Sequence, residues 1–454
     1  MNKKNKNVLV LGAAITGIPT ALELYNMGYN VTINDYKPLS QLDEYIHELD
    51  NLSIEIITGG HPIELASSCD FIVISPGVPT DIPLVKEARK HGKEVISEVE
   101  LAYRMTQTPI AAITGTNGKT TTTALLGEIM KESGRKTFVT GNIGNPMIKE
   151  VKNASPEDLF VLEVSSFQLE TTVYFRPKVS AILNITPDHL NRHKTLENYI
   201  DAKAKIFKNQ KDEGYTILNW DDEQTRNLSS LTNSKTLFFS RKDILAEGGY
   251  VEDGYLTISL KNKKERIIDI KDVFIPGEHN LENALAASLM AYCLGVKAHT
   301  IQKVLKEFKG VEHRIEYVTE IDGVIYYNDS KGTNPDSSIR AIKTMTRPIV
   351  LIAGGYDKGS NFDEFASYFK EKVKALVLLG ETADKIQESA HKVGFHNIYK
   401  VSDLDEAVKK SKELATKGDC VLLSPACASW DMFKSFEERG NVFKDVVRRL
   451  RGAE

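Results

Sequence analysis

The sequence of 454 residues has few cysteines and no long apolar run. Its four cysteines, Cys69, Cys293, Cys420 and Cys427, lack the paired spacing of a zinc site and the density of a disulfide scaffold. This usage is typical of a reducing compartment, so we expect a cytoplasmic protein. Because no stretch of about 18 consecutive apolar residues occurs, we also expect no membrane span.

Charge of neither sign predominates. The chain has 58 lysines and arginines against 62 aspartates and glutamates, a net charge of −4. This balance argues against a protein that binds nucleic acid mainly through the phosphate backbone, and we expect no nucleic-acid partner. An anionic ligand would have to be bound by a local concentration of positive charge.

Short β-branched runs alternate with helix-length amphipathic segments over most of the chain. This alternation predicts an α/β fold of parallel sheets covered by helices, and the length suggests about three domains. We predict a Rossmann-like N-terminal domain over residues 1–98 and a Rossmann-like C-terminal domain over residues 311–454. Between them, residues 99–310 are predicted to form a domain like a phosphate-loop ATPase, with a mostly parallel sheet and a β-rich, hairpin-like insert over residues 215–273.

The strongest local signal is a glycine-rich loop between the apolar run Pro109–Ile113 and the helix-like segment Thr121–Glu132. The loop consists of Gly115, Thr116, Asn117, Gly118, Lys119, Thr120 and Thr121. Such a loop can turn backbone amides toward an anion, while its lysine adds positive charge and its threonine hydroxyl can bind the Mg²⁺ of a nucleotide. Ile113 replaces the first glycine of the full phosphate-loop pattern. The alternative is a glycine–lysine turn without a ligand.

Two later apolar runs contain or precede residues that can bind a metal ion. Glu163 lies in the run 158–166, and His189 follows the run 179–187. Parallel sheets bind ligands beyond the carboxyl ends of their strands, so Thr120, Glu163 and His189 could converge on one magnesium–nucleotide site. Two alternatives stay open, since Glu163 could belong to a structural ion pair and His189 could be a loop histidine that caps the next helix.

Several motifs in a fixed order resemble those of a known family. They are residues 115–121, residues 163–170, Asp188 with His189, His279 with Asn280, and His313 with Arg314. Together they closely resemble the ATP-dependent Mur ligases, and the resemblance extends over essentially the whole chain. Residues 328–334 and 423–436 most resemble the members of that family that add D-glutamate.

The resemblance implies an enzyme of peptidoglycan precursor synthesis. It would phosphorylate the carboxylate of UDP-N-acetylmuramoyl-L-alanine with ATP and join D-glutamate to the acyl phosphate through a tetrahedral intermediate, with release of ADP and phosphate. It further implies two Mg²⁺ ions, a carbamoylated lysine and a monomer. The alternatives are another amide ligase of the superfamily, similar to a folylpolyglutamate synthetase, and a non-catalytic nucleotide-binding regulator.

By motif position, the resemblance also assigns roles to individual residues. Lys119 would contact the β- and γ-phosphates, Thr120 and Glu163 the first Mg²⁺, and His189 the second. Lys203 would be the carbamoylated lysine, whose carbamate supplies oxygens to magnesium. The residues expected to face the nucleotide or the transferred phosphoryl group are Asn280, Asn283, Arg314, Asp329 and Lys331.

The N-terminal glycine turn, Gly12–Gly17, follows a strand and is similar to a dinucleotide-binding fingerprint. Ala14 replaces the central glycine, which makes an NAD site a weak interpretation. The resemblance instead implies a UDP-sugar pocket. Its residues would be Ile15, Thr16, Asp35, Tyr36, Ser75, Pro76 and Gly77, together with Asn142 near the reaction centre.

The C-terminal domain would bind D-glutamate. The resemblance assigns this role to Thr333, Lys358, Ser429 and Phe436, with Lys358 as the positive charge and Ser429 at the start of a helix that favours an anion. We expect this domain to close on the central one when ligands bind. Other interpretations remain for Arg314 as an interface ion pair, Asp329 as a turn residue and Phe436 as part of a helix core.

Overall fold

A computed structural model describes residues 6–42, 46–49, 52–357 and 359–451. The described chain divides into two compact units. The first runs to Val273 and is continued by Leu281–Lys306, whereas the second consists of Phe274–Asn280 and the chain from Glu307 onward. Among the described residues, no helix is long and apolar enough to cross a membrane.

The first unit begins with a parallel sheet that has five strands in the described ranges, in the order β3-β2-β1-β4-β5. These strands are β1 (Asn7–Leu11), β2 (Asn30–Asp35), β3 (Glu55–Thr58), β4 (Phe71–Ile74) and β5 (Glu94–Ser97), with helices α1 (Gly17–Asn26), α2 (Leu65–Ser68), α3 (Pro83–Lys90) and α4 (Glu98–Met105). Side chains of β1 are buried in the hydrophobic clusters on both faces, which explains its continuous apolar sequence. Chain order reverses between β1 and β4, so a ligand crevice is expected at their carboxyl ends.

The second sheet of this unit has nine strands in the part of the chain that the structure describes, in the order β14-β13-β12-β11-β10-β9-β6-β8-β7. They are β6 (Ile110–Thr114), β7 (Thr137–Gly141), β8 (Leu159–Glu163), β9 (Val179–Ile182), β10 (Tyr215–Asn219), β11 (Lys235–Ser240), β12 (Gly248–Glu252), β13 (Tyr255–Leu260) and β14 (Lys263–Asp269). Strand β6 lies between β8 and β9, where chain order again reverses. The glycine-rich loop follows β6 and therefore lies at the switch point of the sheet.

Of the described helices around this sheet, four have nine or more residues and the others have four or five. The helices are α5 (Lys119–Glu132), α6 (Met147–Glu150), α7 (Ser166–Leu169), α8 (Leu190–His193), α9 (Leu196–Ala204), α10 (Glu223–Asn227), α11 (Glu278–Cys293) and α12 (Ala298–Glu307). Short 3₁₀ helices occur at Leu39–Gln41, His47–Leu49, Val151–Asn153, Leu228–Leu231 and Ile270–Asp272.

The expected hairpin-like insert is only partly present. Strands β10 and β11 extend the central sheet in parallel, and β12 pairs in parallel with β11. Within the described range 215–273, antiparallel hairpins are formed by β12, β13 and β14 alone. The expectation was therefore wrong for the first half of residues 215–273, because an alternating pattern identifies a strand without fixing the direction of its partner.

The second unit contains a sheet of six described strands in the order β15-β16-β20-β17-β18-β19, parallel except for the β15–β16 hairpin. The strands are β15 (Glu316–Ile321), β16 (Val324–Asn328), β17 (Ile349–Ala353), β18 (Val373–Leu378), β19 (Ile398–Lys400) and β20 (Cys420–Leu423). The helices are α13 (Pro335–Thr344), α14 (Asp363–Ser367), α15 (Phe369–Lys372), α16 (Ala383–Lys392), α17 (Leu404–Leu414) and α18 (Phe436–Arg451). The predicted α/β class with mostly parallel sheets is confirmed.

Candidate functional site

The glycine-rich loop joins the buried end of β6 to the first turn of α5. Gly118 precedes this helix with a left-handed φ of 82°, and a Cβ atom there would lie 2.2 Å from Asn283 Oδ1. The Thr122 hydroxyl donates to the same oxygen at 3.2 Å. Glycine is therefore required at position 118 by both backbone conformation and contact, and the structure brings Asn283 of α11 against the loop.

Asn184, which sequence analysis did not single out, holds the middle of the loop. Its backbone and side-chain oxygens accept the N–H groups of Thr116 and Asn117 at 2.9 and 2.8 Å. The Thr116 hydroxyl also bonds to Thr186 and lies 3.2 Å from the Tyr199 hydroxyl. Because these groups already have partners, the first turn of α5, where helix N–H groups lack intrahelical acceptors, is the part best suited to bind a phosphate.

Glu163 ends β8 directly beside Ile113 of β6 and is 1% exposed. Its Oε1 accepts a hydrogen bond from Asn142 Nδ2 at 2.8 Å, whereas its Oε2 has no hydrogen-bond partner among the described residues. A buried carboxylate oxygen without a donor is unfavourable unless a cation or a ligand satisfies it. The structure thus brings Asn142 to Glu163, and no ion pair of Glu163 with a basic side chain is found in the described chain.

The chemistry of Glu163 fits a magnesium ligand. A hard cation prefers oxygen ligands, and Mg²⁺ commonly uses only one or two carboxylates together with phosphate oxygens and water. Over the described ranges, no group of three or more His, Cys, Asp or Glu side chains could hold a metal ion by itself. Thr120 lies buried in the first turn of α5 and could add its hydroxyl oxygen.

His189 stands immediately before the single turn α8, in a left-handed conformation with φ of 52°. Its imidazole is half exposed, packs on Phe167 with 4.8 Å between ring centroids, and has Nε2 3.5 Å from Asp188 Oδ2. The alternative that this histidine caps the helix is only partly correct, because its side chain makes no capping hydrogen bond. The imidazole is therefore open to a ligand on its exposed side.

Lys203, in α9, is only 1% exposed and donates from Nζ to the Gly115 carbonyl oxygen at 2.7 Å. Its amine also lies 4.5 Å above the Tyr199 ring. Lys119 donates to the same carbonyl oxygen at 3.0 Å and to that of Thr116 at 3.0 Å. Burial, followed by the charge of Lys119, holds the pKa of the Lys203 amine well below its usual value, although Asp188 opposes this shift. Lys203 is thus no ordinary solvated helix lysine.

The N-terminal residues predicted to bind a UDP-sugar meet at the switch point of the first sheet. Asp35 Oδ2 accepts the Ala13 N–H at 2.7 Å, and a Cβ atom at Gly12 would lie 2.8 Å from the Ser75 side chain. Ser75 also begins a turn, closed by the Val78 N–H at 3.0 Å. Beside them Ile15 and Tyr36 are 64% and 73% exposed. Two exposed apolar side chains at the mouth of a crevice suit the binding of an organic ligand.

Asp329 follows β16 in the second unit and is buried against β20. Its Oδ2 accepts the Ser424 hydroxyl at 2.6 Å and its Oδ1 the Ile315 N–H at 3.2 Å. Burial raises the pKa of Asp329 to about 7, against the opposing hydrogen bond from Ser424 and the charge of Arg314. Asp329 does begin a turn, closed by the Gly332 N–H at 2.8 Å, and its carboxyl group is in addition buried and held by two hydrogen bonds. Asn280, in the same unit, donates to the Pro276 carbonyl oxygen at 2.7 Å.

The residues predicted to bind D-glutamate are only partly described, because Lys358 lies outside the described residues. Lys331 and Phe436 are brought together, with the Lys331 amine 5.7 Å above the aromatic ring. The Thr333 N–H donates to the Lys331 carbonyl oxygen at 2.9 Å. Phe436 is half-buried at the first position of α18, so it is not a fully buried core residue.

The expectation that Ser429 begins a helix was wrong. Ser429 is buried and is followed by a turn, and the helix α18 starts only at Phe436. Arg439 of α18 contacts the two residues that precede Ser429. Its guanidinium donates to the carbonyl oxygens of Cys427 and Ala428, each at 3.1 Å. These bonds tie residues 427–428 to α18 as an irregular segment.

Family models match three consecutive parts of the chain. Residues 6–97 match the Mur ligase MurD-like N-terminal domain, residues 113–291 the Mur ligase middle domain, and residues 313–427 the Mur ligase glutamate ligase domain. Among relatives, the UDP-N-acetylmuramoylalanine–D-glutamate ligase of Thermoanaerobacter pseudethanolicus is 54% identical, covering 99% of this chain and 100% of that protein. The enzyme of the same name from Clostridioides difficile is 51% identical with the same coverage.

Solved structures agree on the fold at lower identity. The UDP-N-acetylmuramate-alanine ligase of Thermotoga maritima is 21% identical with a TM-score of 0.60, covering 99% of this chain and 100% of that one. MurF from Acinetobacter baumannii is 16% identical with a TM-score of 0.61, covering 97% and 93%. With three family domains in order and relatives that match from end to end, this chain belongs to the Mur ligase family and is similar to its MurD branch.

Proposed function

We propose that this protein is the ADP-forming ligase that joins D-glutamate to UDP-N-acetylmuramoyl-L-alanine in peptidoglycan precursor synthesis. The observation that carries the proposal is the end-to-end match to ligases of that name, at 54% identity over 99% of the chain. The substrates, ATP and a nucleotide-linked sugar, together with sparse free cysteines, suit a cytoplasmic enzyme. The family resemblance supports a monomer.

The proposed chemistry starts from an unreactive carboxylate. Hydroxide is a poor leaving group, so the carboxylate oxygen first attacks the γ-phosphorus of ATP to form an acyl phosphate and ADP. The amine of D-glutamate then attacks the acyl carbon, and the tetrahedral intermediate expels phosphate while the amine loses a proton. Both steps develop negative charge on oxygen, which fixed positive groups stabilise by position.

The central sheet supplies the proposed phosphate site. The first turn of α5 would bind phosphate oxygens through its N–H groups, and Lys119 would turn from the Gly115 and Thr116 carbonyls toward the β- and γ-phosphates. The remaining residues of the proposed ATP site are Gly115, Thr116, Asn117, Gly118, Thr120, Thr121, Asn280, Asn283, Arg314, Asp329 and Lys331. The hydrogen bonds that fix Asn184 and Asn283 against the loop, the second of them buried, hold it ready for this ligand.

Thr120, Glu163, His189 and Lys203 are the residues that would hold magnesium. The ion would supply charge neutralisation and orientation of the phosphate oxygens. Asn142 fixes the Glu163 carboxylate through Oε1 and leaves Oε2 for this role. For Lys203 we propose a carbamate. An amine that is buried and beside a second cation gains from exchange of its positive charge for a negative one, and the carbamate nitrogen keeps an N–H for the Gly115 carbonyl.

The two substrates to be joined, the UDP-sugar and D-glutamate, are assigned to different sets of residues. Ile15, Thr16, Asp35, Tyr36, Ser75, Pro76 and Gly77 would bind the UDP-sugar, and Asn142 its peptide end. Thr333, Lys358, Ser429 and Phe436 would bind D-glutamate. Ser429 would act through its own side chain or backbone, since no helix starts there.

A phosphate-release assay tests the proposed function. The purified chain is incubated with ATP, Mg²⁺, UDP-N-acetylmuramoyl-L-alanine and one amino acid at a time. We expect release that requires both the UDP-sugar and D-glutamate, with L-glutamate, L-alanine and L-lysine inactive. Release with a folate substrate and L-glutamate instead would favour the folylpolyglutamate synthetase-like alternative, and nucleotide binding without any release would favour a regulator.

A further inference from the structure

Arg192 is a half-buried arginine that the motif assignments leave without a role. It lies in the single turn α8, three residues after His189, and its side chain is 15% exposed. Its guanidinium forms a two-pronged ion pair with Glu170, from Nη2 to Oε2 at 2.7 Å and from Nε to Oε1 at 3.2 Å. It also lies 4.4 Å above the Phe167 ring. These contacts attach the guanidinium to α7, a helix beside the central sheet.

The third contact of Arg192 reaches the first sheet. Its Nη1 donates to the Pro76 carbonyl oxygen at 2.7 Å. Pro76 lies in the turn after β4, between Ser75, which packs on Gly12, and Gly77, whose surroundings are open. The turn is thus held by the glycine turn of its own sheet on one side and by Arg192 of the central sheet on the other.

The anchors of Arg192 belong to the catalytic end of the central sheet. Glu170 caps α7, the helix that follows Glu163, and the Phe167 ring packs against both His189 and His193. His193, 6% exposed, is itself bound to Ser166 and lies 3.4 Å from Glu170. A planar guanidinium can satisfy a carboxylate with one edge and a carbonyl with the other, which a lysine amine cannot do at the same distances.

We propose that Arg192 is a positioning residue that sets the distance between the UDP-sugar loop, Ser75–Gly77, and the residues that surround the reacting carboxylate. The inference rests on the proposed function and deepens it. A UDP-sugar bound at the first sheet must place its far carboxylate at the end of the second, so a rotation of one sheet against the other misplaces the reacting atom. Arg192 opposes this rotation because it is fixed at both ends.

Steady-state kinetics of Arg192→Ala and Arg192→Lys test this role, with Arg226→Ala as the matched control. Arg226 also lies over an aromatic ring, that of Trp220 at 5.2 Å, and donates to a backbone carbonyl oxygen. Both of these contacts are with Trp220, and neither involves the UDP-sugar loop. We expect both Arg192 variants to raise the KM for UDP-N-acetylmuramoyl-L-alanine about tenfold or more, which is the value of one charge-assisted hydrogen bond. The KM for ATP should stay within about twofold, and the control should leave both constants unchanged.

Hydrogen–deuterium exchange supplies a readout that does not depend on the reaction. In Arg192→Ala, amides of residues 75–80 should exchange faster than in the parent, while those of the phosphate loop and α5 stay as they were. An unchanged KM for the UDP-sugar together with unchanged exchange in an active enzyme would overturn the proposal. An equal rise of both KM values with a lowered melting temperature would overturn it too, because it would show a role in folding only.

If Arg192→Ala does not fold, the KM of Arg192→Lys for the UDP-sugar tests the positioning role instead. It keeps the charge opposite Glu170 but loses the fork, so recovery of the parent KM by lysine would contradict a positioning role. Failure of the proposed function itself would look different, as absence of D-glutamate-dependent phosphate release from the parent enzyme. The exchange experiment would still report on Arg192 in that case.

Discussion

The side-chain amines of Lys119 and Lys203 share a single acceptor, the carbonyl oxygen of Gly115, at 3.0 and 2.7 Å. Two cations at one oxygen repel each other, and one of them is almost completely buried. The arrangement is relieved when Lys119 turns to an anionic ligand or when Lys203 loses its positive charge. The proposed function includes both changes, since Lys119 would turn to a phosphate when ATP binds and Lys203 would carry a carbamate as a magnesium ligand.

Replacement of Lys203 by alanine should reduce kcat by about 100-fold or more, because an oxygen ligand of magnesium would be lost. A small carboxylate such as acetate should restore part of the activity by entering the vacated space. Labelled bicarbonate should be incorporated into the parent but not into the variant. Lys208→Ala, which removes an exposed lysine five positions later, serves as control. Full activity of Lys203→Ala would remove this residue from the proposed metal site.

Asn142→Ala should raise the Mg²⁺ concentration needed for half-maximal activity about tenfold, because the Glu163 carboxylate loses the donor that orients it. The measurement is a magnesium titration of phosphate release at saturating substrates. Asn153→Ala is a matched control, since its amide also donates to a carboxylate, Glu150, but at the surface. An unchanged magnesium requirement would show that Asn142 does not act through Glu163.

Comparison of Gly118→Ala with Gly134→Ala distinguishes the effect of backbone strain from the effect of a steric clash with Asn283. Both glycines have a left-handed φ, of 82° and 85°, but only Gly118 has an atom, Asn283 Oδ1, in the place of the new Cβ. Gly134→Ala should lose about 1–2 kcal/mol of unfolding free energy in urea and bind ATP analogues normally. Gly118→Ala should lose more stability and bind the nucleotide at least about tenfold more weakly. Equal behaviour of the two variants would contradict the packing of Asn283 on the loop.

Glu98 provides a test of pH dependence. It is buried, its Oε1 accepts the Ile148 N–H at 2.6 Å, its Oε2 has no partner among the described residues, and burial raises its pKa to about 7. Below pH 4.5 the carboxyl is protonated in both states and contributes nothing. Between pH 4.5 and 7 only the unfolded state ionises, so this group lowers stability by about 3 kcal/mol over that range, and the loss is constant above it.

Glu98→Gln removes this titration and keeps an oxygen for Ile148. The variant should therefore gain stability relative to the parent as the pH rises from about 5 to 8, as measured by urea unfolding at each pH. Glu157→Gln changes an exposed glutamate and should show no such trend. A stability difference that does not vary with pH would mean that Glu98 ionises equally in both states.

Sequence patterns predicted local features well because their causes are local. The continuous apolar runs of β1, β6 and β8 report burial on both faces of a parallel sheet, and the loop after β6 carries its glycines and lysine in a short span. Asp35 and Glu163 each end a strand of a different sheet, and their places at the ligand-binding edges followed from the rule that the carboxyl ends of parallel strands meet at one edge. The predicted domain boundaries near residues 98 and 310 and the ligand roles of the individual residues stay predictions.

Features that depend on distant partners could not be predicted. The Asn184 side chain accepts the N–H of Asn117, 67 positions away, and the Arg192 contact with Pro76 crosses 116 positions between two sheets. Ser429 was expected to begin a helix, yet only a turn follows it, and Arg439 of α18 binds the carbonyl oxygens of the two residues before it. In each case one polar side chain binds a backbone group that is distant in the sequence, and no periodic pattern records such a contact.

The most direct test of ligation through an acyl phosphate uses UDP-N-acetylmuramoyl-L-alanine with oxygen-18 in its carboxylate. The phosphate released with ATP, Mg²⁺ and D-glutamate is analysed by mass spectrometry. The account predicts one labelled oxygen in each phosphate, because the carboxylate oxygen that attacks ATP leaves with the phosphoryl group. Phosphate without label, or labelled phosphate whose release does not require D-glutamate, would contradict it.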